Sequence, residues 1–237
     1  NYGFNGNNET YVAWNWKAKG TPAINTDGTT TSIVSANQAA GFSIVEYTGP
    51  LTLNPGHGLG GTPELIIVKG ISATSDWMVY NSFNGTGGYL SFTRNDQGVG
   101  TGTDAWQANA NQFSTVNATS FTTLDTGASL TYIAYCFKSI TGYSKVGSYQ
   151  GSTNNVSVTT GFQPTFILVK NTTSAGNWTL WDNKLGGTYF LQPNNNGSEG
   201  SGRTLTFDSN GFTVDTNGGV NSNSNGDTFI YLAIKEN

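Results

Sequence analysis

The sequence predicts an all-β protein composed of two tandem, jelly-roll-like β-sandwich units with antiparallel sheets and little or no helix. Three observations support this prediction. The 237-residue chain contains 34 Thr, 28 Asn, 32 Gly, 13 Phe, 11 Tyr and 6 Trp, which are residues of strands and turns. Its hydrophobic residues alternate along short segments, as in half-buried strands. The same series of motifs also occurs twice, about one hundred residues apart, which indicates an internal repeat.

The repeat extends over most of the chain. GFSIVEYTG at 41–49 corresponds to GYSKVGSYQG at 142–151, and GGTPELIIVKG at 60–70 corresponds to GFQPTFILVKN at 161–171. Three further pairs follow in the same order: DWMVYN (76–81) with NWTLWD (177–182), GGYLSF (87–92) with GTYFLQ (187–192), and TSFTTLDTG (119–127) with NGFTVDTNG (210–218). We therefore predict one sandwich unit at 41–140 and a second at 141–237, each with about six to eight short strands.

A closing motif ends both units and also precedes the first one. It reads LTYIAYCFK at 130–138, DTFIYLAIK at 227–235 and ETYVAWNWK at 9–17. Bulky side chains occupy alternate positions and mostly small ones lie between them, which predicts a central strand with its bulky face in the core. Residues 1–17 are thus expected to end a preceding repeat and to pair with the first whole unit rather than with another chain. Residues 18–40 are expected to form a polar linker.

Charge and composition exclude several partners. The ten Lys and Arg residues are scattered and the net charge is −4, whereas a nucleic-acid surface needs clustered basic residues. No run of 18 apolar residues occurs, so no membrane insertion is predicted. Cys136 is the single cysteine, which rules out an intrachain disulfide. It lies within the closing motif where the other copies have Asn15 and Ala233, so a small buried thiol is expected.

No catalytic residue is predicted. His57 is the only histidine and lies in the glycine-rich segment NPGHGLGG, without partners for a triad or a zinc site. We expect a structural or surface role for it, with an interface role as the alternative. Among the fourteen acids there is no same-face cluster of carboxylates of the kind that glycoside hydrolases use. Glu64 and Asp76 are replaced by Thr165 and Asn177 in the second unit, so the chain is expected not to be an enzyme.

No cofactor or metal ligand is predicted either, although a structural calcium ion remains an alternative. NTDGTT at 25–30 and NSNSNGDT at 221–228 are rich in oxygen ligands. Both lack the ordered Asp spacing of a calcium loop, and turn formation explains them more simply. The glycine-rich segments lack the Lys-Ser/Thr of a phosphate-binding loop.

Aromatic residues provide the candidates for binding. Trp77, Tyr80, Trp178 and Trp181 recur at matched positions, which favours core packing and leaves a sugar-stacking platform as the alternative. Trp106 lies in an insertion at 104–116 that only the first unit has, in a loop-like setting where binding residues are frequent. The candidate surface, ligand or interface contacts are therefore Trp106, Trp77, Tyr80, Trp178, Trp181 and His57.

Taken together, the motifs resemble a repeat module of marine bacteriophage structural proteins. The segments that carry the resemblance are YVAWNWKAKG, TSIVSANQAAGFSIVEYTG, GHGLGGTPELIIVK, DWMVYN, TYIAYCFKSITGYSKVGSYQG, GFQPTFILVK and NWTLWD, and they cover nearly the whole chain. Proteins of this kind include tail-fibre and virion-surface proteins of cyanophage-like viruses with lectin- or glucanase-like β-sandwiches. The resemblance supplies no catalytic residues.

The resemblance implies a non-enzymatic virion protein displayed on the phage surface, as a tail fibre or a head decoration. It would contact copies of itself, other virion proteins and a host cell-surface glycan during attachment. Two other hypotheses remain: an extracellular carbohydrate-binding module, and a carbohydrate-active enzyme with two carboxylates in one groove.

Overall fold

Antiparallel strands account for nearly all the regular structure, and the prediction of an all-β fold is confirmed. The computed structural model describes residues 6, 8, 11–73, 75–91, 107–108, 112–124, 129–195, 197–219 and 221–236. Within these residues the only helical elements are two short 3-10 helices, Gln38–Ala40 and Thr216–Gly218.

The first half of the chain contains eleven strands in the described residues. They are β1 (Ala23–Asn25), β2 (Ser32–Asn37), β3 (Phe42–Gly49), β4 (Thr52–Leu53), β5 (Leu65–Gly70), β6 (Trp77–Asn81), β7 (Gly88–Ser91), β8 (Gln107–Ala108), β9 (Phe113–Val116), β10 (Phe121–Leu124) and β11 (Leu130–Phe137). They form an eight-stranded sheet, in the order β1-β2-β3-β11-β5-β6-β7-β8, and a three-stranded sheet, β4-β10-β9. Alternate residues of β3, β5 and β11, including Val45, Val68 and Ala134, are buried together with Phe113 and Phe121 in the first-half core.

The second half repeats this strand order. Its strands are β12 (Ser144–Gln150), β13 (Val156–Thr159), β14 (Phe166–Asn171), β15 (Thr179–Asp182), β16 (Tyr189–Phe190), β17 (Gly200–Ser201), β18 (Leu205–Asp208), β19 (Gly211–Val214) and β20 (Thr228–Ile234). The sheet order β12-β20-β14-β15 corresponds to β3-β11-β5-β6, and β13-β19-β18 corresponds to β4-β10-β9. The second-half core includes Trp181, Phe212 and Phe229.

The two copies of the closing motif that form strands are both central in their sheets. β11 pairs with β3 on one side and β5 on the other, while β20 pairs with β12 and β14. The smaller side chains Ala134, Cys136 and Ala233 enter the cores of the two halves. The bulky faces, with Phe137 and Leu232, meet in a third core between the eight-stranded and four-stranded sheets, which we term the shared core.

The prediction that residues 18–40 form a polar linker is wrong for much of this segment. Strands β1 and β2 pair with each other and extend the large sheet beside β3. The alternation in SIVSAN explains this, because Ser32 and Val34 are buried on one face while Ile33, on the other face, is exposed.

The prediction that residues 9–17 form a strand is also wrong where the structure describes them. Residues 11–19 have no strand, although they carry the same pattern as β11 and β20. The β1–β2 hairpin already pairs with β3, so that side of the sheet receives its added strands from residues 23–37. Trp14 and Trp16 instead pack as side chains against the shared core.

Candidate functional site

An apolar cleft of about 750 Å³ opens beside the shared core, between the eight-stranded and four-stranded sheets. We refer to it as the interlayer cleft. Its lining consists of aromatic and aliphatic side chains from both halves, with two amides and the indoles of the N-terminal segment: Phe42, Ile44, Ile67, Trp77, Tyr135, Phe137, Phe166, Leu168, Leu180, Leu232, Pro193, Asn194, Asn195, Trp14 and Trp16.

The register of the strands places these side chains in rows. Tyr135 of β11 lies opposite Ile44 of β3 and Ile67 of β5, so the three share one face of the large sheet. On the facing sheet, Leu168 of β14 lies opposite both Leu232 and Leu180. Two apolar rows therefore form the two walls of the cleft.

Aromatic rings shape the end of the cleft nearest β6. Trp77 stacks on Tyr135 with ring centroids 6.4 Å apart and an interplanar angle of 21°. The ammonium of Lys69 lies 6.0 Å from the centroid of the Trp77 ring. Trp77, Tyr135 and Ile67 are all half-buried, so their surfaces are accessible from the cleft.

The N-terminal segment, residues 11–19, closes another side of the cleft. Trp16 contacts Phe166 edge-to-face with centroids 5.4 Å apart, and it contacts Phe137 in the same manner at 6.2 Å. The indole Nε1 of Trp14 donates a hydrogen bond of 2.7 Å to Oδ2 of the buried Asp182. Because this segment has no ladder of backbone hydrogen bonds, its position depends on such side-chain contacts.

The amide side chains of the cleft are already engaged. Asn194 accepts a hydrogen bond from the backbone N–H of Trp178 (3.0 Å) and donates one to Oδ1 of Asn177 (2.9 Å). Asn195 donates to Oε1 of Gln192 and accepts from the N–H of Gly197, both at 2.8 Å. Within the part of the chain that the structure describes, the lining includes no Asp, Glu, Lys, Arg or His. The arrangement is suited to holding an apolar group and offers no acid–base pair.

Of the six residues predicted as contacts, Trp77 lines the cleft. Trp178 is only 1% exposed in the shared core, where its Nε1 donates a 2.7 Å hydrogen bond to the carbonyl of Ser91. Tyr80 packs near Phe113 in the first-half core, and Trp181 is buried in the second-half core. These burials agree with core packing and not with a common sugar platform. Trp106 lies outside the described residues.

His57 is fully buried, so the structure excludes a surface role and leaves a structural one. The backbone N–H of Leu59 donates to its Nδ1 at 3.2 Å, which assigns the ring proton to Nε2. Nε2 then donates to the carbonyl of Asn117 at 3.1 Å. Burial lowers the pKa of His57 from its ordinary value, because a charged imidazolium would lose its hydration.

The other groups considered for chemistry are engaged or buried. Among the described residues, no three or more His, Cys, Asp or Glu side chains form a group that could hold a metal ion. In the segment 25–30, Asn25 accepts from the N–H of Asp27 and donates to its carboxylate, as in a turn. Burial raises the pKa of the Cys136 thiol to about 12, which agrees with the expected inert thiol. No helix in the described part of the chain is long and apolar enough to cross a membrane.

Sequence reasoning missed the interlayer cleft itself. The alternation in the closing motif does place Trp14, Trp16 and Tyr135 on bulky faces, and this was the available signal. Nothing in a linear pattern shows that the bulky faces of two units would oppose each other. The contribution of Asn194 and Asn195 depends on the same long-range packing.

Comparison with protein-family models gives a match along the whole chain. A family model described as Domain of unknown function (DUF7483) covers residues 1–237, and the chain therefore belongs to this family. No curated protein and no solved structure matches the chain.

Proposed function

We propose that this member of the DUF7483 family is a non-enzymatic structural protein of the bacteriophage virion surface, a tail fibre or a head decoration, that contributes to host attachment. One observation carries the proposal: the set of motifs that resembles virion-surface repeat modules extends along nearly the whole chain. These motifs include the central strands β5, β11 and β14. They therefore account for the framework of the protein and not for a peripheral segment.

The layered architecture supports a structural role. Four of the five sheets in the described residues stack with three hydrophobic clusters between them, and the middle cluster joins residues of both halves. Phe42, Phe137, Phe166 and Trp178 all contribute to that middle cluster. A protein whose two sandwiches share a core is expected to move as one body, which suits a component that must project from a particle.

The chemistry of the described side chains supports a role without catalysis. His57 is buried with both ring nitrogens in hydrogen bonds, and the Cys136 thiol is buried with a raised pKa. The carboxylate of Asp182 accepts from the Trp14 indole and from the backbone of Lys184. Each of these potential acids, bases or nucleophiles is occupied with maintaining the fold.

Contact between copies and with other virion proteins has a candidate surface at the edge of the large sheet. Ile24 of β1 and Ile33 of β2 lie directly opposite each other and are 75% and 46% exposed. Paired apolar side chains at an exposed edge are typical of a surface that another protein covers. The host-surface partner in this proposal is a glycan.

Particle composition tests the proposal. Purified virions from the phage that encodes the chain would be analysed by mass spectrometry, and a gold-labelled antibody would locate the chain by electron microscopy. We expect its peptides at a level comparable to a minor structural protein, with label on the tail or head surface. Peptides of the phage DNA polymerase serve as the contamination control. Absence of the chain from particles that retain their fibres and decorations would overturn the proposal.

Attachment to glycans needs a separate measurement. Binding of the full chain to a broad glycan array would be compared with that of a Trp106→Ala variant. Loss of signal in the variant would support a carbohydrate-binding role for the insertion. A chain that is present in virions but silent on the array would keep its structural role and would lose the proposed glycan partner.

A further inference from the structure

We propose that the interlayer cleft is a binding site for a flat, uncharged aromatic group. The site goes beyond the virion role and does not depend on it. The volume of about 750 Å³ falls within the range of roughly 300–1,000 Å³ that small-molecule sites occupy.

The first argument is the chemistry of the walls. Seven of the fifteen lining residues are aromatic: Trp14, Trp16, Phe42, Trp77, Tyr135, Phe137 and Phe166. Offset-stacked and edge-to-face ring pairs each contribute about 0.5–1.5 kcal/mol beyond the burial of apolar area. The cleft already accepts indole rings in this way, since Trp16 lies perpendicular to Phe166 with an interplanar angle of 90°. A further planar ring would meet the same kind of surface.

The second argument is what the cleft does not offer a ligand. The amides of Asn194 and Asn195 each use at least one N–H donor and one acceptor lone pair within the protein, which leaves few polar groups for a ligand apart from the Tyr135 hydroxyl. A hydroxyl or amide buried without a partner costs about 1–3 kcal/mol in proteins, so a sugar ring would be bound poorly here. Among the described residues, the lining also holds no ionised side chain to balance a charge. We therefore expect the buried part of the ligand to be uncharged and to carry few hydrogen-bonding groups.

The third argument is the contrast with the matching tryptophan of the second half. Trp178 is sealed against Ser91 and does not line the cleft, whereas Trp77 is half-buried and faces it. The opening is therefore specific to one side of the shared core. The side chains around Trp178 enclose its ring completely, whereas those around Trp77 leave space for another ring.

A fluorescent probe tests the proposal on the full chain. N-phenyl-1-naphthylamine is uncharged and aromatic, and its emission rises in an apolar site. We expect saturable binding together with quenching of tryptophan emission, because three indoles line the cleft. Ile67→Trp fills the space between the walls and should weaken binding by about ten-fold or more, equivalent to about 1.4 kcal/mol. Trp77→Ala removes the aromatic ring at the β6 end of the cleft and should weaken binding of the probe several-fold.

The matched control is Ile24→Ala, which removes an exposed apolar side chain that does not line the cleft and should bind the probe as the wild type does. Ile44→Phe is a second filling variant, from β3 on the other side of β11, in case Ile67→Trp does not fold. Folding is checked by circular dichroism. Unchanged affinity in a folded filling variant would overturn the proposal. Displacement of the probe by methyl α-glucoside would instead assign the cleft to a sugar.

Discussion

Trp77 and Trp178 occupy matching places in the two halves, yet their surroundings differ. Trp178 is fully enclosed and donates a hydrogen bond to Ser91 of β7 in the other half. Trp77 stacks on Tyr135 and faces an opening. The difference shows that one sequence motif can form a sealed contact or a cleft, depending on what the facing sheet presents to it.

The strands after the two tryptophans explain the difference. In the first half, β7 pairs with β6 through Ser91 and Leu90 and so extends the wall that covers Trp178. In the second half, the corresponding segment joins β15 only through a bridge between Leu180 and Leu191. Pro193 follows, and a proline lacks the N–H that a longer ladder would need. The facing wall therefore ends early, and Trp77 remains half-exposed.

The largest expected effect is the loss of stability on truncating the sealed tryptophan. Trp178→Ala should lower the free energy of unfolding by about 3–5 kcal/mol, since it removes a buried ring and leaves the Ser91 carbonyl without its indole donor. Trp77→Ala should lower it by only about 1–2 kcal/mol, because part of that ring is already in contact with water. Urea unfolding followed by circular dichroism measures both.

The two variants together test the comparison. Equal losses of stability would mean that the two tryptophans contribute alike, and that the opening beside Trp77 is closed in solution. Because the shared core links the halves, both variants are expected to unfold in a single transition. Two separate transitions in the wild type would show instead that the halves are independent.

The next effect concerns the N-terminal segment, which closes one side of the cleft through Trp14 and Trp16. Trp14→Phe keeps an aromatic ring but removes the hydrogen bond to Asp182, which is expected to cost about 1 kcal/mol of docking. Trypsin should then cut more rapidly after Lys17 and Lys19, because the segment detaches more often. The rate of this cleavage, followed by mass spectrometry, is the measurement.

Val12→Ala is the control for this experiment, since Val12 is largely exposed and makes no such bond. If both variants were cleaved at the wild-type rate, the indole hydrogen bond would not hold the segment. Faster cleavage in Trp14→Phe alone would attribute the docking to it.

Local alternation in the sequence predicted the parts of the fold that depend on one strand and its own faces. It identified two of the three copies of the closing motif as central strands, placed Phe137 and Leu232 on the bulky face, and buried Cys136 on the other. These features follow from the two-residue period of a strand, which holds in any tertiary context.

Features that depend on a partner were not predictable in this way. Residues 11–17 have a strand pattern but no strand, because the hairpin of residues 23–37 pairs with β3 instead. The cleft beside Trp77 requires knowing which faces of two sandwiches meet, and the early end of the facing wall at Pro193. Neither is encoded within a window of ten residues, so the site emerged only from the packed structure.

A smaller effect concerns the pH dependence of stability, which we expect His57 to confer on the first half alone. Burial lowers the pKa of His57 in the folded state, and the corresponding part of the second half contains no histidine. As the pH falls below the ordinary histidine value of about 6.5, unfolded chains bind a proton that the folded protein excludes. The free energy of unfolding should therefore decline as the pH is lowered from 7.5 to 5.5. The urea concentration at the midpoint of unfolding measures this decline.

His57→Gln provides the control for the pH dependence, since glutamine retains hydrogen-bonding groups but does not titrate. The variant is expected to be less stable overall, and its midpoint should change little across the same pH range. If the urea midpoint of His57→Gln fell as steeply with pH as that of the wild type, the pH dependence would belong to other groups. His57 would then not make the stability of the first half depend on pH.

The smallest effect is expected for Cys136→Ala in β11, and its counterpart in β20 is Ala233. Both residues are fully buried at matching positions, opposite Ile66 and Ile167. Cys136→Ala should lower stability by about 1 kcal/mol or less, because the second half already accommodates alanine there. Ala233→Cys should cost more, about 1–3 kcal/mol, if the second-half core is packed around the smaller side chain. Calorimetry would measure the melting temperatures of both variants. In the wild-type protein, Cys136 should react with 5,5′-dithiobis(2-nitrobenzoate) only after the chain unfolds, because its thiol is buried with a pKa of about 12. A tolerated cysteine at 233 would mean that the two cores are equally roomy, and that the halves differ only in how their outer faces meet.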